Sequence, residues 1–159
     1  MTKVIEVNSI YGMYKVLIDK NIELPSTIFA NSWTNNKTKP YFAMKIGGKV
    51  VGLHRFIMKA RDGDIIDHVS GDTCDNRKDN LRFVTHKQNC ANKESKGYYF
   101  NKPTGKWLAQ IQIDGKRKSL GRYTTPEEAQ QVYRKAHAEA FGEFSPYYEY
   151  YSGITKEVN

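Results

Sequence analysis

The chain has 159 residues, 39% of them hydrophobic, which allows one ordinary domain or two to three very small ones and no large core. Its formal net charge of +8 favours a polyanionic partner, because each neutralised phosphate releases counterions. Two cysteines, Cys74 and Cys90, form no CxxC pair and exclude a structural zinc ribbon; no apolar run approaches the length of a signal or membrane segment, so the expected setting is a cytoplasm with free thiols. Residues 1–52 read as β-rich. Val4, Val7 and Ile10 are apolar, and Tyr14, Val16 and Ile18 alternate at period two. Asn31 to Lys39 is polar and predicts a loop. Tyr41 to Ile46 and Val50 to Leu53 flank Gly47-Gly48, a hairpin signal. Leu53 to Ala60 predicts a short helix with Leu53, Phe56 and Ile57 on one face.

Ile65 to Val69 predicts a short strand carrying the polar pair Asp67-His68. Gly71 to Asn80 is a loop dense in Asp, Asn and Gly. Leu81 to Thr85 follows as a second strand, and His86 to Glu94 as a helix with Thr85 as its N-cap. Ser95-Lys96-Gly97 reads as a hinge. Tyr98 to Phe100, Trp107 to Ile113 and Lys118 to Tyr123 then predict three strands, joined at Lys102-Pro103-Thr104-Gly105 and Asp114-Gly115. Thr125-Pro126-Glu127-Glu128 opens a helix with a capping box, Ala129, Val132, Tyr133, Ala136 and Ala140 follow at helical spacing, and Gly142 ends it. The tail with Tyr147, Tyr148, Tyr150 and Tyr151 either packs back on the body or stays loose. The fold class expected is α+β: a β leader over 1–52, a strand–loop–strand–helix core over 53–95, a three-stranded antiparallel sheet on one helix over 96–145, and a tail over 146–159.

Charge is unevenly spread. Residues 1–53 carry seven lysines against three acids, and residues 96–145 nine basic residues against five acids. Residues 54–95 carry eight basic and seven acidic residues. Acids concentrated near a phosphate-binding surface repel the ligand unless a cation stands between them, which is a first hint of a metal site.

The motif that carries chemistry is Asp67-His68, then Asp75-Asn76-Arg77-Lys78-Asp79-Asn80-Leu81-Arg82, then Gln88-Asn89. A lone Asp-His pair is ordinarily a surface pair, and an Asp/Asn-rich loop is ordinarily turn chemistry. Together and in this order, the pieces resemble the ββα-metal site of HNH endonucleases, in the variant whose third motif residue is Asn, and most of all phage-encoded members including the intron-homing group. The resemblance covers about residues 41–95. It implies one divalent ion, Mg²⁺ or Mn²⁺, held by oxygen ligands from Asp67 and Asn89, with His68 as general base and no structural zinc. Adjacent strand residues point to opposite faces, so Asp67 and His68 serve together only if the strand ends or bends there. The resemblance makes Asn80 a support tying the loop to the His68 strand, and brings Asn76 and Arg77 towards the phosphate. His86, three residues before Asn89, is an alternative ligand or phosphate contact. His54 is expected to be buried and hydrogen-bonded, with Arg55 on a phosphate, and His137 to be unremarkable.

Residues 96–145 resemble the Apetala-two type domain of plant transcription factors and phage HNH proteins. The resemblance rests on Lys106-Trp107-Leu108-Ala109-Gln110-Ile111, on Leu120-Gly121-Arg122-Tyr123 and on the Glu127-Glu128-Ala129 helix start. It implies a sheet laid in the major groove of double-stranded DNA. If Trp107, Ala109 and Ile111 share the helix-packed face, Leu108, Gln110 and Gln112 share the other. Gln110 and Gln112 would then read adenine edges, and Lys106, Lys116, Lys118 and Arg122 would lie on the DNA. The first strand departs from the plant domains, carrying Tyr98, Tyr99 and Phe100 where those are rich in Arg. The expected protein is a metal-dependent DNA endonuclease, a monomer that nicks or cuts duplex DNA without membrane contact, acting in a bacterial host cytoplasm if phage-encoded. The rivals are a non-catalytic DNA-binding regulator using the same sheet and an RNA-binding module that stacks bases on exposed aromatics.

Overall fold

Period-two alternation in the first twenty residues builds a hairpin. β1 (Thr2–Ser9) pairs antiparallel with β2 (Gly12–Asp19), Val7 opposite Tyr14 and Ile5 opposite Val16. Val7, Val16 and Ile18 point inward and are buried, while Ile10 sits in the turn and is exposed. The computed structural model describes residues 1–31 and 40–156, with side chains through 153; the expected loop Asn31 to Lys39 lies outside them from residue 32 on. The chain divides into two compact units, Met1–His86 and Lys87–Asn159. No helix among the described residues is long and apolar enough to cross a membrane.

In the first unit β3 (Ile28–Asn31), β4 (Tyr41–Ile46) and β5 (Lys49–Gly52) form an antiparallel sheet in that order, β4 and β5 turning at Gly47-Gly48. β3 was not among the expected strands, since four residues between polar segments show too little periodicity. α1 (Leu53–Ile57) is shorter than the expected Leu53 to Ala60. It ends because Lys59 takes a left-handed conformation (φ 52°) and its N–H returns to the Phe56 carbonyl. β6 (Ile65–His68) and β7 (Leu81–Val84) pair antiparallel, with Asp67 opposite Arg82 and His68 opposite Leu81. One core joins these pieces: Val16 and Ile18 of the hairpin, Phe42 and Met44 of β4, Leu53 and Ile57 of α1, and Ile66 and Leu81 of the β6–β7 pair. α2 (His86–Ala91) opens at the unit boundary and stops short of the expected Glu94.

The second unit holds β8 (Tyr98–Asn101), β9 (Lys106–Ile113) and β10 (Lys116–Tyr123), antiparallel with β9 central. α3 (Pro126–Phe141) packs across them. Its start is as the residues predict: the Thr125 hydroxyl accepts from the Glu128 N–H at 3.2 Å, and the Glu128 carboxylate accepts from the Thr125 N–H at 3.2 Å. The buried stripe of α3 is Ala129, Tyr133, His137 and Ala138, whereas Ala140, expected on that face, is exposed. The tyrosine tail packs back. Tyr147 is buried against Tyr133 and His137, and α4 (Tyr148–Lys156) follows it.

The expected hinge at Ser95-Lys96-Gly97 is instead an anchored segment. The Tyr147 hydroxyl accepts from the Ser95 N–H at 3.2 Å and lies 3.3 Å from the Ser95 carbonyl. The Gly97 carbonyl accepts from the Gln110 N–H at 2.9 Å. Gly97 has φ 66°, and a Cβ there would lie 2.0 Å from the Tyr133 ring. The residue is glycine so that the ring can lie on the backbone. Gly97→Ala should therefore destabilise the second unit by about 2–4 kcal/mol, through overpacking and a left-handed φ on a residue with a Cβ. Urea denaturation measures this, and a change within 0.5 kcal/mol, about the level of a neutral surface substitution, would contradict the close approach.

Candidate active site

A strand of four residues delivers the central pair. β6 ends at His68, and the Gly71 N–H bonds back to the His68 carbonyl at 2.9 Å as the chain turns into the loop. Asp67 and His68 both pair in the ladder, opposite Arg82 and Leu81, so His68 stands at the last rung of the strand. Asp67 and His68 are 8% and 4% exposed, so their partners decide their behaviour. The Asp67 carboxylate meets the residue opposite it on β7: Arg82 Nε and Nη2 donate to Oδ2 at 3.1 and 3.0 Å. The His68 ring packs with His54 and Tyr41, centroids 5.6 and 5.9 Å away, and its Nε2 lies 3.3 Å from Asn76 Oδ1.

The loop from Val69 to Asn80 is held by polar bonds. The Asn80 carboxamide accepts from the Ser70 N–H at 3.0 Å and donates to the Asp75 carbonyl at 2.7 Å. The Val69 N–H bonds the Asn80 carbonyl at 2.8 Å. Asn80 thus spans the loop from the His68 side to its far limb. Arg77 forks onto Asp75, Nε to Oδ1 at 2.8 Å and Nη2 to Oδ2 at 2.6 Å. The loop is also stitched to β2 by backbone bonds, Leu17 N–H to the Cys74 carbonyl and Asn76 N–H to the Leu17 carbonyl, each 2.8 Å, and the Lys78 N–H donates to Asp19 Oδ2 at 2.9 Å.

Burial pushes the His68 imidazole below its ordinary value, while the hydrogen bond to Asn76 and the charges of Asp67, Asp72 and Asp75 act in the opposite sense without overcoming it. A neutral imidazole is the form that accepts a proton. Tyr41 is pushed up by burial and then by Asp67. Asp75 is held below the usual carboxylate range by its hydrogen bond from Arg77. His54 is lowered to about 4 by burial first, and then by the charges of His68 and Arg55. Its Nδ1 is buried without a hydrogen-bond partner among the described residues, so the expected hydrogen bonding is missing at that nitrogen. The reason is its neighbourhood of rings: Tyr41 and His68 enclose it, and Gly52 lies against its edge.

Asp67, His68, Asn76, Arg77 and Asn80 fall in the first unit, and Asn89 lies on α2 in the second. Arg55 is engaged locally, Nη1 on the Asp64 carbonyl and Nη2 on the Arg61 carbonyl, where it staples the turn after α1. Among the described residues no three His, Cys, Asp or Glu side chains form a group that could hold a metal ion. Arg82, quoted in the motif, and Tyr41, Leu17 and Asp19 were given no role at the site from the sequence. Arg82 was findable only from the register of β6 on β7, and Leu17 and Asp19 only from tertiary contact.

In the second unit, strand pairing sorts the expected DNA-facing residues. Gln112 stands opposite Arg117, Gln110 opposite Ser119 and Leu108 opposite Arg122 and Tyr99, so these share the face away from α3. Ala109 and Ile111 are buried on the helix side. Lys116 and Lys118 stand opposite Ile113 and Ile111 and so belong to the helix-side row, apart from Gln110 and Gln112. Arg117, which the sequence reading passed over, belongs with the glutamines. Its signal was present, because a two-residue Asp-Gly turn pairs Ile113 with Lys116 and hence Gln112 with Arg117. Lys106 lies opposite Asn101 at the far end of the same outward row.

Residues 51–91 match the family model described as HNH endonuclease. The match supports an HNH nuclease. It opens on β5, contains α1, β6, the loop and β7, and ends with α2. No curated protein and no solved structure matches the chain.

The lowered His54 has a consequence for stability. A histidine held neutral in the fold below its ordinary 6.5 leaves stability complete above about 6.5 and erodes it as the pH falls towards about 4, because the unfolded chain takes up the proton first. His54→Phe should gain on wild type by about 1–2 kcal/mol between pH 8 and pH 5. His137, also lowered to about 4 by burial, titrates alike in both proteins and cancels in this comparison. Urea midpoints at the two pH values provide the check, and an equal fall in both proteins would mean that His54 is not held neutral in the fold.

Proposed function

We propose that this protein is a divalent-metal-dependent DNA endonuclease, with its hydrolytic centre at Asp67, His68 and Asn89 and a DNA-binding surface on the outward face of the β8–β10 sheet. The observation that carries the reading is a buried histidine at the end of a short strand, lowered by burial, inside a segment that matches HNH endonucleases. His68 takes a proton from water as the water oxygen bonds to phosphorus and the bond to the leaving 3′ oxygen breaks. Its depressed proton affinity keeps it neutral at pH 7, ready for that step.

Asp67 and Asn89 would hold the ion, Mg²⁺ or Mn²⁺. The donor set fits a hard cation, since a carboxylate and a carboxamide both present hard oxygen donors. When bound, the ion supplies Lewis-acid stabilisation of the phosphate charge. Asn80 supports the loop. Arg55 and Arg77 approach the phosphates only with the guanidinium donors that their local bonds leave over.

For the sheet, Gln110 and Gln112 are the candidate base readers, with Arg117, Arg122 and Lys106 on phosphates. Lys116 and Lys118, on the other row, contribute at most through the long-range field.

Plasmid relaxation tests the nuclease reading. Wild type should convert supercoiled DNA to open circle with Mg²⁺ or Mn²⁺ and not with chelator, and His68→Ala should lose about 10²–10⁴-fold in rate while keeping its DNA affinity. Undiminished cleavage by that variant would remove His68 as the base. No conversion by wild type with binding intact would favour a non-catalytic DNA-binding regulator. For the sheet, Arg117→Ala should weaken duplex binding and reduce the salt slope by about 1, whereas Lys118→Ala should change the slope by much less. Equal effects of the two substitutions would reject the proposed face.

A further inference from the structure

We propose that Asn76 is a positioning residue for His68: it accepts a hydrogen bond from Nε2, holds the imidazole in the Nε2–H tautomer and thereby makes Nδ1 the nitrogen that takes up a proton. The inference deepens the nuclease reading and rests on His68 being its base.

The argument starts from a carbonyl that can only accept. Asn76 is 1% exposed, and its carboxamide nitrogen lies 2.9 Å from the Thr73 carbonyl. The group facing that carbonyl must be the NH₂, which fixes the amide orientation without appeal to hydrogen positions. The other side of the amide is therefore Oδ1, and it faces His68 Nε2 at 3.3 Å. An amide oxygen donates nothing, so Nε2 carries the hydrogen. A neutral imidazole has one N–H, so the lone pair is on Nδ1.

Asn76 can orient a ring only if it is itself immobile. Its backbone N–H bonds the Leu17 carbonyl, the Leu17 N–H bonds the Cys74 carbonyl, and Leu17 bridges Asp75 in parallel register. Asn80 grips the Asp75 carbonyl from the other side. Leu17 belongs to β2, far outside the matched segment 51–91. The orientation of His68 is thus set through a strand that carries none of the motif residues. A side chain that hydrogen-bonds only the far nitrogen of a base acts through the base, as partners of metal-bound histidines do.

The test reads the tautomer directly. Long-range ¹H–¹⁵N correlation on full-length protein with ¹⁵N-labelled histidine, at a pH where His68 is neutral, separates the two nitrogens; the His68→Ala spectrum assigns the signals among the four histidines of the chain. Wild type should show His68 protonated at Nε2. Asn76→Ala should give a mixture of tautomers, and Asn76→Asp, which keeps an accepting oxygen, should restore the Nε2–H form. In plasmid cleavage with Mg²⁺ or Mn²⁺, Asn76→Ala should lower kcat about 10–100-fold with KM nearly unchanged, since the lost term acts in the chemical step. A wild-type His68 protonated at Nδ1 overturns the proposal, as does an Asn76→Ala protein that keeps both tautomer and kcat. If Asn76→Ala does not fold, the wild-type and Asn76→Asp spectra decide. Failure of the underlying reading is distinct: wild type would not cleave, or His68→Ala would still cleave, while the tautomer result would stand.

Discussion

The loop between β6 and β7 has little apolar surface to bury, and its shape depends on a backbone splice to the N-terminal hairpin. Of the residues from Gly71 to Asn80, Cys74 alone packs against the first unit's core cluster. The rest are Asp, Asn, Thr, Gly, Arg and Lys, which gain nothing from burial and must be held by hydrogen bonds. The two bonds between Leu17 and the Cys74–Asn76 limb supply that hold, and Asp19, Asn80 and the Asp75–Arg77 fork add to it. A polar loop fixed in this way can present Asn76 to His68 at a defined distance. The leader hairpin is therefore part of the site's framework, although it contributes no titrating side chain next to His68.

Charge balance around His68 follows from pairing. The middle of the chain gathers acids, and two of them are matched by arginines within reach: Asp75 by its neighbour Arg77, Asp67 by Arg82 across the β6–β7 ladder. Such partly buried pairs add little net stability but are costly to break singly, because the remaining charge is left desolvated. The acids still favour a protonated His68, yet burial prevails and the ring is lowered. His54 experiences the same burial without a compensating bond at Nδ1 among the described residues, and its value falls to about 4.

In the second unit two glycines let aromatic side chains lie where a Cβ would block them. Gly97 receives the Tyr133 ring. Gly121, at the β-bulge of β10, leaves room for Tyr123, whose hydroxyl donates to the Leu120 carbonyl at 2.7 Å. The bulge between Ser119 and Gly121 also keeps Arg122 in the outward row with Gln110, because the extra residue restores the alternation beyond it. Without it, Arg122 would turn to the helix side.

Local patterns alone revealed much of this protein. The α+β class, the β character of the leader, the hairpin at Gly47-Gly48, the strand–loop–strand–helix order around Asp67 and His68, and the capping box of α3 each depend on residues within a few positions of one another. Period-two alternation, turn residues and caps act at that range. The Asp-Gly turn even specified the register that sets Arg117 beside Gln112. What the sequence could not decide involved residues distant along the chain: Arg82 on Asp67, the unpartnered Nδ1 of His54, Tyr147 on Ser95, and above all Leu17 on the loop that orients His68. Those partners lie 15 to 59 residues away from the groups they touch. Their meeting is imposed by burial, of Val16, Ile18, Phe42 and Ile66 in the first unit's core and of Ile111, Tyr133 and Tyr147 in the second's, and burial is a non-directional force that brings hydrogen-bonding groups together without leaving a local pattern in the sequence.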